Sequence, residues 1–285
     1  MAENITVRTI PFEFVSEISP VWNPQNREWS HMVNGASLAM PYLEPFLIKT
    51  LREALPLLDE SLHADVKAFV GQEAQHYTNH RKYNEILKAQ GYSELGEVEE
   101  TMRQDYSRIQ KWGLKWRVAY SAGFESMTMG VTEWLINHRL ELFKGADPTV
   151  SSLMLWHMIE ETEHKTVVFE AISGNYFIRI FGLLHGSFHV AFMSRRGYRA
   201  MLLKDGEWHN WRSRLRVYKM VMKFFIHAGP AMLRTLSPWH DPRDVQDPEW
   251  VEAWKDSYEH LDQGQLPLLN TTDDEIHPLF IDAMA

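Results

Sequence analysis

The chain has 285 residues, no cysteine, and 38 acidic against 29 basic side chains, which gives a formal net charge of -9. Without cysteine there can be no disulfide, thiolate metal site or cysteine nucleophile, so a bound metal would take nitrogen and oxygen ligands. The negative charge argues against nucleic acid as a partner, because phosphate binding needs a basic footprint. The first residues contain no basic region followed by an apolar run, which predicts a cytoplasmic protein without a secretory signal.

Apolar residues recur at three- and four-residue spacing through the long segments, and strand signals are scarce, so the sequence predicts an all-α protein. A ferritin-like four-helix bundle is expected, with residues 92–112 as a long crossover between its second and third helices. Pro56, Gly91 and the Asp147-Pro148 pair indicate helix ends and starts. The predicted helices cover residues 41–55, 61–91, 114–143 and 148 to just before 174 in the bundle, and residues 176–203, 208–228 and 248–261 after it.

The chain is predicted to be one bundle with additions at both ends. Residues 1–35, rich in proline and asparagine, are expected to form an irregular arm, and residues 36–174 the bundle. Residues 175–261 are expected to form additional C-terminal helices packed on the bundle, and residues 262–285 an irregular tail.

The pattern Glu-x-x-His occurs four times, as Glu28/His31, Glu60/His63, Glu73/His76 and Glu161/His164. About one occurrence is expected by chance, so the pattern alone is weak. The first pair lies in the predicted arm and the second at the start of a helix, so neither is rigidly presented and both are discarded. The other two pairs are predicted to lie within long helices, where residues three apart share one face and can bind one ion together.

Each helix that carries a retained pair follows a helix with a lone acid in an apolar setting. That acid is Glu44 in SLAMPYLEPFLIKTL and Glu125 in AYSAGFESMTMGVTEWL. The order Glu, Glu-x-x-His, Glu, Glu-x-x-His along four helices is the ligand pattern of carboxylate bundles that hold two iron or manganese ions. The predicted metal and catalytic residues are Glu44, Glu73, His76, Glu125, Glu161 and His164.

Several neighbours compete with or support this set. Glu160 lies four residues before His164 and could replace Glu161 as the ligand, and Glu133 is a rival of Glu125. His157 lies one turn before Glu161, and His80 lies one turn after His76. Each of these two histidines is either a third nitrogen ligand, a donor that holds a carboxylate ligand, or a structural residue.

The stretches PYLEPF, GQEAQHYTNH, WHMIEETEHK and SPWHDP make the chain resemble a bacterial family described as predicted metal-dependent hydrolases, over roughly residues 30 to 255. The resemblance implies a ferritin-like helical core and metal-dependent hydrolysis. It places the family's metal positions on the six residues that the spacing selects.

Two enzyme functions and one non-enzymatic function remain open from the sequence. The first is a non-haem di-iron oxidoreductase, with manganese or a mixed pair as alternatives to iron, which activates oxygen to oxidise an apolar or amphipathic organic substrate and draws on an electron donor. The second is a hydrolase that uses a metal-activated water on an ester, amide or phosphate. Metal storage is disfavoured, because about a hundred residues follow the bundle.

The segment after the bundle is basic and aromatic in an otherwise acidic chain. Residues 195–223 hold nine lysines or arginines against Asp205 and Glu207. Contact with an anionic membrane surface, docking of an acidic carrier protein and a solvated helix face are the alternatives. The apolar stretch YFIRIFGLLHGSFHVAFMS barely reaches spanning length and is interrupted by Arg179, so a buried or surface-lying helix is expected. A homodimer is a further candidate assembly.

Overall fold

The computed structural model describes residues 5–171, 175–262 and 264–281. Within these ranges the chain is a helical bundle with short 3-10 turns and one pair of two-residue strands, which confirms the predicted all-α class. The α-helices are, in chain order, α1 (Arg27–Ser37), α2 (Met40–Ala54), α3 (His63–Ala89), α4 (Leu95–Ile109), α5 (Leu114–Asn137), α6 (Arg139–Phe143), α7 (Pro148–Glu161), α8 (Val167–Ala171), α9 (Tyr176–Lys204), α10 (Trp211–His227), α11 (Gly229–Arg234) and α12 (Glu249–Glu259).

The predicted bundle helices correspond to α2, α3, α5 and α7, and α4 occupies the predicted crossover between α3 and α5. Residues that were predicted to mark helix ends and starts have the conformation or hydrogen bond expected there. Gly91 has φ +101, a conformation in which glycine ends a helix without steric cost. The Asp147 carboxylate accepts a hydrogen bond of 3.0 Å from the backbone N–H of Val150 and caps α7.

Two predicted helices are interrupted. The third breaks at His138, where α5 ends and α6 begins. The fourth ends at Glu161 and continues as a 3-10 turn over Thr162–His164 before α8. The Thr162 hydroxyl donates 2.7 Å to the carbonyl of Ile159, a local bond that competes with regular helix hydrogen bonding. The predicted end of this helix before Gly174 lies outside the described residues.

The N-terminal arm is not irregular throughout. Helix α1 begins inside it, after Asn26, whose side chain accepts from the backbone N–H of Trp29. The preceding segment has no regular structure, yet Ile10, Phe12 and Trp22 are buried in the core. The arm therefore covers one side of the bundle.

Helix α9 packs on the bundle through backbone contact at glycines. A Cβ at Gly182 would lie 1.8 Å from the carbonyl oxygen of Ala119 on α5, and a Cβ at Gly123 would lie 2.0 Å from the carbonyl carbon of Gly182. A second close approach joins α9 to α1, where a Cβ at Gly35 would lie 2.3 Å from a backbone oxygen. Small residues on both sides fix α9 against α5 and α1.

The residues 262–285, predicted to be irregular, contain an antiparallel strand pair, β1 (Leu268–Leu269) with β2 (Phe280–Ile281). Leu269 is fully buried, and its backbone N–H donates 2.8 Å to the hydroxyl of Ser152 on α7. The tail is thus tied to a helix that carries predicted ligands. The predicted division of the chain into arm, bundle, extension and tail remains a prediction.

Candidate metal centre

All six predicted ligands lie in one buried region between four helices. Each of their side chains is at most 2% exposed. They are contributed by α2 (Glu44), α3 (Glu73 and His76), α5 (Glu125), the end of α7 (Glu161) and the 3-10 turn that follows it (His164). The structure therefore brings together residues that are far apart in the sequence, as a shared metal site requires.

The ligand atoms form two groups, and within each group they lie within 4.8 Å of one another. One group consists of Glu44, His76 and His157, and the other of Glu73, Glu125, Glu161 and His164. The two residues of a motif were expected to share one ion. The geometry fits that expectation for Glu161 and His164, whereas Glu73 and His76 fall into different groups.

Glu161 joins the two groups. Its Oε1 lies 2.8 Å from His157 Nε2, and its Oε2 lies 3.3 Å from His164 Nδ1. Its two oxygens therefore face one group each, which is the arrangement of a carboxylate that bridges two ions. Glu160, the alternative ligand, instead accepts hydrogen bonds from Arg8 and His76.

The orientation of His164 is fixed from behind the centre. Its Nε2 lies 2.8 Å from the Oε1 of Gln72, an atom that can only accept, so Nε2 carries a hydrogen and Nδ1 is the ring nitrogen that faces the carboxylates. The Gln72 amide is oriented in turn, because its nitrogen donates to Glu163 and to the carbonyl of Thr6, each at 2.8 Å.

His76 is held in the same way by the buried, hydrogen-bonded side chains of Glu160 and Arg8. Its Nε2 lies 2.9 Å from Glu160 Oε2, and Arg8 donates 3.1 Å to the other oxygen of Glu160. Donation from Nε2 leaves Nδ1 of His76 as the free ring nitrogen. The arm residue Arg8 also pairs with Glu163 at 2.9 Å and so supports both histidines.

A chain of hydrogen bonds orients the ring of His157. The Ser37 hydroxyl donates 2.8 Å to the Asn84 side-chain oxygen and therefore accepts from Nδ1 of His80, also at 2.8 Å. Burial, reinforced by His157, lowers the pKa of His80 well below its ordinary value, so its Nε2 is unprotonated and accepts the Nδ1 hydrogen of His157 at 2.7 Å. The Nε2 of His157 faces Glu161 Oε1 at 2.8 Å and Glu44 Oε1 at 3.7 Å, so it is the ring nitrogen that a metal would meet. His157 is positioned as a third nitrogen ligand and His80 as its orienting partner.

Burial raises the pKa of Glu44, Glu73 and Glu125 well above the ordinary carboxyl value, and the neighbouring carboxylates raise it further. Burial also opposes ionisation of Glu161, but His164 and His157 outweigh it and hold the pKa of Glu161 well below its ordinary value. The pKa of His164 is raised well above its ordinary value, because Glu161 and Glu125 outweigh the effect of burial. Glu161 and His164 thus form an ion pair among protonated carboxyl groups.

Nine buried ligand atoms make no hydrogen bond, which is costly for polar groups removed from water. They are both oxygens of Glu44, Glu73 and Glu125, Oε2 of Glu161, and Nδ1 of His76 and His164. Hard oxygen and imidazole donors of this kind suit iron, manganese or zinc. The four carboxylates, when ionised, balance the charge of two divalent ions, so the donor set fits a pair of metal ions.

Binding of divalent ions to the metal-free protein should release protons and become tighter as the pH rises. Glu44, Glu73 and Glu125 have raised pKa values, so at neutral pH they carry protons that metal ligation must displace. The pKa of His164 is also raised, so metal binding displaces a proton from His164 as well and adds to the same pH dependence. Calorimetric titration with Mn²⁺ in buffers of different ionisation enthalpy measures this release. An affinity that is constant between about pH 6 and pH 8 would contradict it.

Replacing Gln72 with leucine should weaken metal binding by about 10- to 100-fold, because His164 Nε2–H loses its acceptor and the ring loses its orientation. Gln75, half-buried on the same helix, belongs to neither ligand group, so Gln75→Leu is the matched control. Competition with a chromophoric chelator measures both affinities. Equal affinities for the two variants would rule out the orienting role of Gln72.

The discarded pairs lie outside both ligand groups. His31 is buried in α1 and contacts Asp205 at 2.8 Å, and Glu28 pairs with Arg216 of α10. These two residues therefore fasten the later helices to α1. Glu133, the rival of Glu125, is half-buried and lines a cleft beside the centre.

Sequence spacing missed the residues that orient the ligands. Gln72 directly precedes one Glu-x-x-His motif and Glu163 lies inside another, and this proximity was the signal that the sequence offered. Arg8, Ser37 and Asn84 come from the arm and from other turns of the helices, and no pattern in the chain connects them to the centre.

A family model described as "Predicted metal-dependent hydrolase" matches residues 6–246. That range contains both ligand groups and helices α1 to α11. The chain belongs to this family. The family membership confirms the resemblance seen in the sequence, and its description supports the hydrolase hypothesis more than the oxidoreductase hypothesis. No curated protein and no solved structure matches this member of the predicted metal-dependent hydrolases.

Proposed function

We propose that the protein is a metal-dependent hydrolase that binds two divalent ions in the buried centre between α2, α3, α5 and α7. The observation that carries the proposal is Glu161, whose two oxygens face two adjacent groups of ligands that otherwise lack hydrogen bonds. Membership in a family described as metal-dependent hydrolases supports hydrolysis as the reaction.

Glu44, His76 and His157 would hold one ion, and Glu73, Glu125 and His164 the other, with Glu161 between them. Two divalent ions held by these residues would supply a nucleophilic water at neutral pH and polarise the substrate oxygen.

The chain itself fixes the ligands and keeps water away from them. The ring of Phe69 packs 4.5 Å from His164, and that of Trp156 packs 4.9 Å from His76. These apolar rings hold the imidazoles in place and lower the local dielectric, which strengthens electrostatic interactions in the centre.

A cleft between α5, α11 and the segment around residues 245–248 is proposed as the substrate approach. Two of its lining residues adjoin ligands, since Met129 lies one turn after Glu125 and Thr162 follows Glu161. The lining contributes apolar side chains, the cations Lys165 and Arg234 and the acids Glu133 and Asp247, of which Asp247 pairs with Lys165 at 3.2 Å. A small amphipathic substrate with a polar group next to the scissile bond matches this mixed lining.

An oxygen-dependent di-iron oxidoreductase is the second candidate function, and the enclosure of the centre favours it. All seven ligand side chains are at most 3% exposed, which suits a small reactant such as dioxygen. Carboxylate-rich ligands from four helices are also the arrangement that holds two iron or manganese ions in oxygen-reactive bundles. This candidate would need an electron donor as a partner.

One set of measurements distinguishes the hydrolase from the oxidoreductase. Protein loaded with Zn²⁺ under strict anaerobiosis should hydrolyse p-nitrophenyl esters or phosphoesters, and a chelator should abolish the activity. The same protein loaded with Fe²⁺ should then consume no more oxygen than the Glu125→Ala variant. Stoichiometric oxygen consumption together with no hydrolysis by the Zn²⁺ form would reject the hydrolase and support the oxidoreductase.

A further inference from the structure

Helix α10 presents an apolar stripe away from the protein. Its inward face is Ser213, Val217 and Met220, all buried. Its outward face carries large side chains at four- and three-residue spacing, which places them on one side of the helix. They are Trp211, Leu215, Tyr218, Met222 and Phe225, which are 69%, 42%, 61%, 40% and 55% exposed.

Helix α9 also exposes an apolar stripe, along its first four turns. The sequence left open whether this helix is buried or lies at the surface, and the structure shows one buried and one exposed side. Leu183, Val190 and Met193 are buried, whereas a stripe at helical spacing is exposed. The stripe consists of Phe177, Phe181, Leu184, Phe188 and Phe192.

The same helix is long and apolar enough to cross a membrane by length and composition, and only 28% of its most apolar window is buried in the structure. Its other face is held against α5 and α1 by backbone contacts at Gly182 and Gly35. Those contacts require α9 to stay on the bundle. A helix so fixed can lie on a membrane surface, but it cannot span the bilayer.

The charge of this part of the chain is opposite to that of the rest. Residues 175–239 contain 11 basic residues (lysine or arginine) and 2 acidic residues. The rest of the chain contains 18 basic and 36 acidic residues. Within the described ranges Arg212 and Lys219 flank the α10 stripe without an acidic partner. Three further guanidinium groups, those of Arg195, Arg199 and Arg214, stack on Trp208 at 5.5, 5.4 and 3.9 Å.

We propose that α9 and α10 bind the surface of an anionic lipid membrane, with their aromatic and aliphatic stripes in the interface and the flanking cations against lipid headgroups. Exposed aromatic residues beside clustered lysine and arginine are the composition of interfacial helices. A symmetric dimer through this face is disfavoured, because it would oppose two positively charged surfaces. Docking of an acidic protein would use the cations but leave most of the apolar stripes without a partner.

Flotation of the full-length protein with unilamellar vesicles tests the proposal. The protein should float with vesicles of phosphatidylglycerol and phosphatidylcholine in about a 1:3 ratio, remain unbound with phosphatidylcholine alone, and dissociate as salt screens the charges. Replacing both Arg212 and Lys219 with glutamate should weaken partitioning by about 30-fold or more, since each cation contributes about fivefold. The matched control is Arg81→Glu with Lys82→Glu, two exposed cations on α3.

A second variant pair tests the apolar stripe. Trp211→Ala with Phe225→Ala should weaken binding to the same vesicles by about tenfold or more, whereas Leu57→Ala, at a side chain that is 77% exposed elsewhere, should not. Circular dichroism and unchanged melting temperatures show that the variants fold. The proposal is overturned if the protein ignores anionic vesicles, or if the control variants weaken binding equally. A dimer that the Trp211/Phe225 variant dissociates, or an acidic protein that binds this face while vesicles do not, would also overturn it.

Discussion

Replacement of Glu161 by alanine is expected to abolish binding of both metal ions, the largest loss that any single side chain of the centre can cause. Its Oε1 faces His157 and its Oε2 faces His164, so its removal takes one ligand from each group. The remaining carboxyl groups are buried and have raised pKa values, so they do not replace the missing charge. Elemental analysis after loading with Mn²⁺ or Fe²⁺ should find less than about a tenth of the metal held by the parent protein.

Two further variants make this result specific to Glu161. Glu85→Ala removes an exposed glutamate of α3 that pairs with Lys88, and metal content should not change. Glu160→Gln replaces one of the two carboxyl oxygens that face His76 and Arg8, and the affinity should fall while the capacity for metal is kept. If Glu161→Ala binds as much metal as the parent, Glu161 does not bridge the two groups.

Replacing Gly182 with alanine is expected to lower the free energy of unfolding by about 3 kcal/mol or more. The added Cβ would lie 1.8 Å from the carbonyl oxygen of Ala119, a backbone atom that no rotamer change can move away. Helices α5 and α9 must therefore separate, and α5 carries Glu125. Urea denaturation followed by circular dichroism measures the loss, and metal capacity should fall with it.

Gly96 on α4 is the matched control for this variant, because a Cβ at that position would meet no atom within 4 Å. Alanine at an open helical position stabilises a protein by about 0.4–1 kcal/mol, so Gly96→Ala should leave stability unchanged or raise it. A Gly182→Ala variant as stable as the parent would mean that α5 and α9 do not touch at this point.

The sequence was sufficient to predict the elements that carry the centre. Helical spacing, prolines and a C-terminal glycine located α2, α3, α5 and α7, because these signals act within one or two turns. The order of lone glutamates and Glu-x-x-His pairs selected six side chains that the structure places together. Short stretches around these residues also carried the resemblance to the family whose model matches residues 6–246.

Hydrophobic periodicity did not predict where the helices are interrupted. The break after Glu161 depends on Thr162 and on the packing of His164 near Phe69, a residue 95 positions away. Hydrophobic spacing continues through the break, so the pattern alone predicts one helix where the structure has a helix, a 3-10 turn and another helix.

Only the tertiary structure decided how the ligands are shared and oriented. Glu73 and His76 are three residues apart on α3, yet they face different groups, because the partners of each group come from other helices. Arg8 reaches the centre from the arm, and Gln72 orients His164 from 92 positions away. The sequence determined which residues can ligate a metal, since ligand chemistry belongs to each side chain. The folded chain decided which of them meet, since contacts between distant segments depend on how all the helices pack.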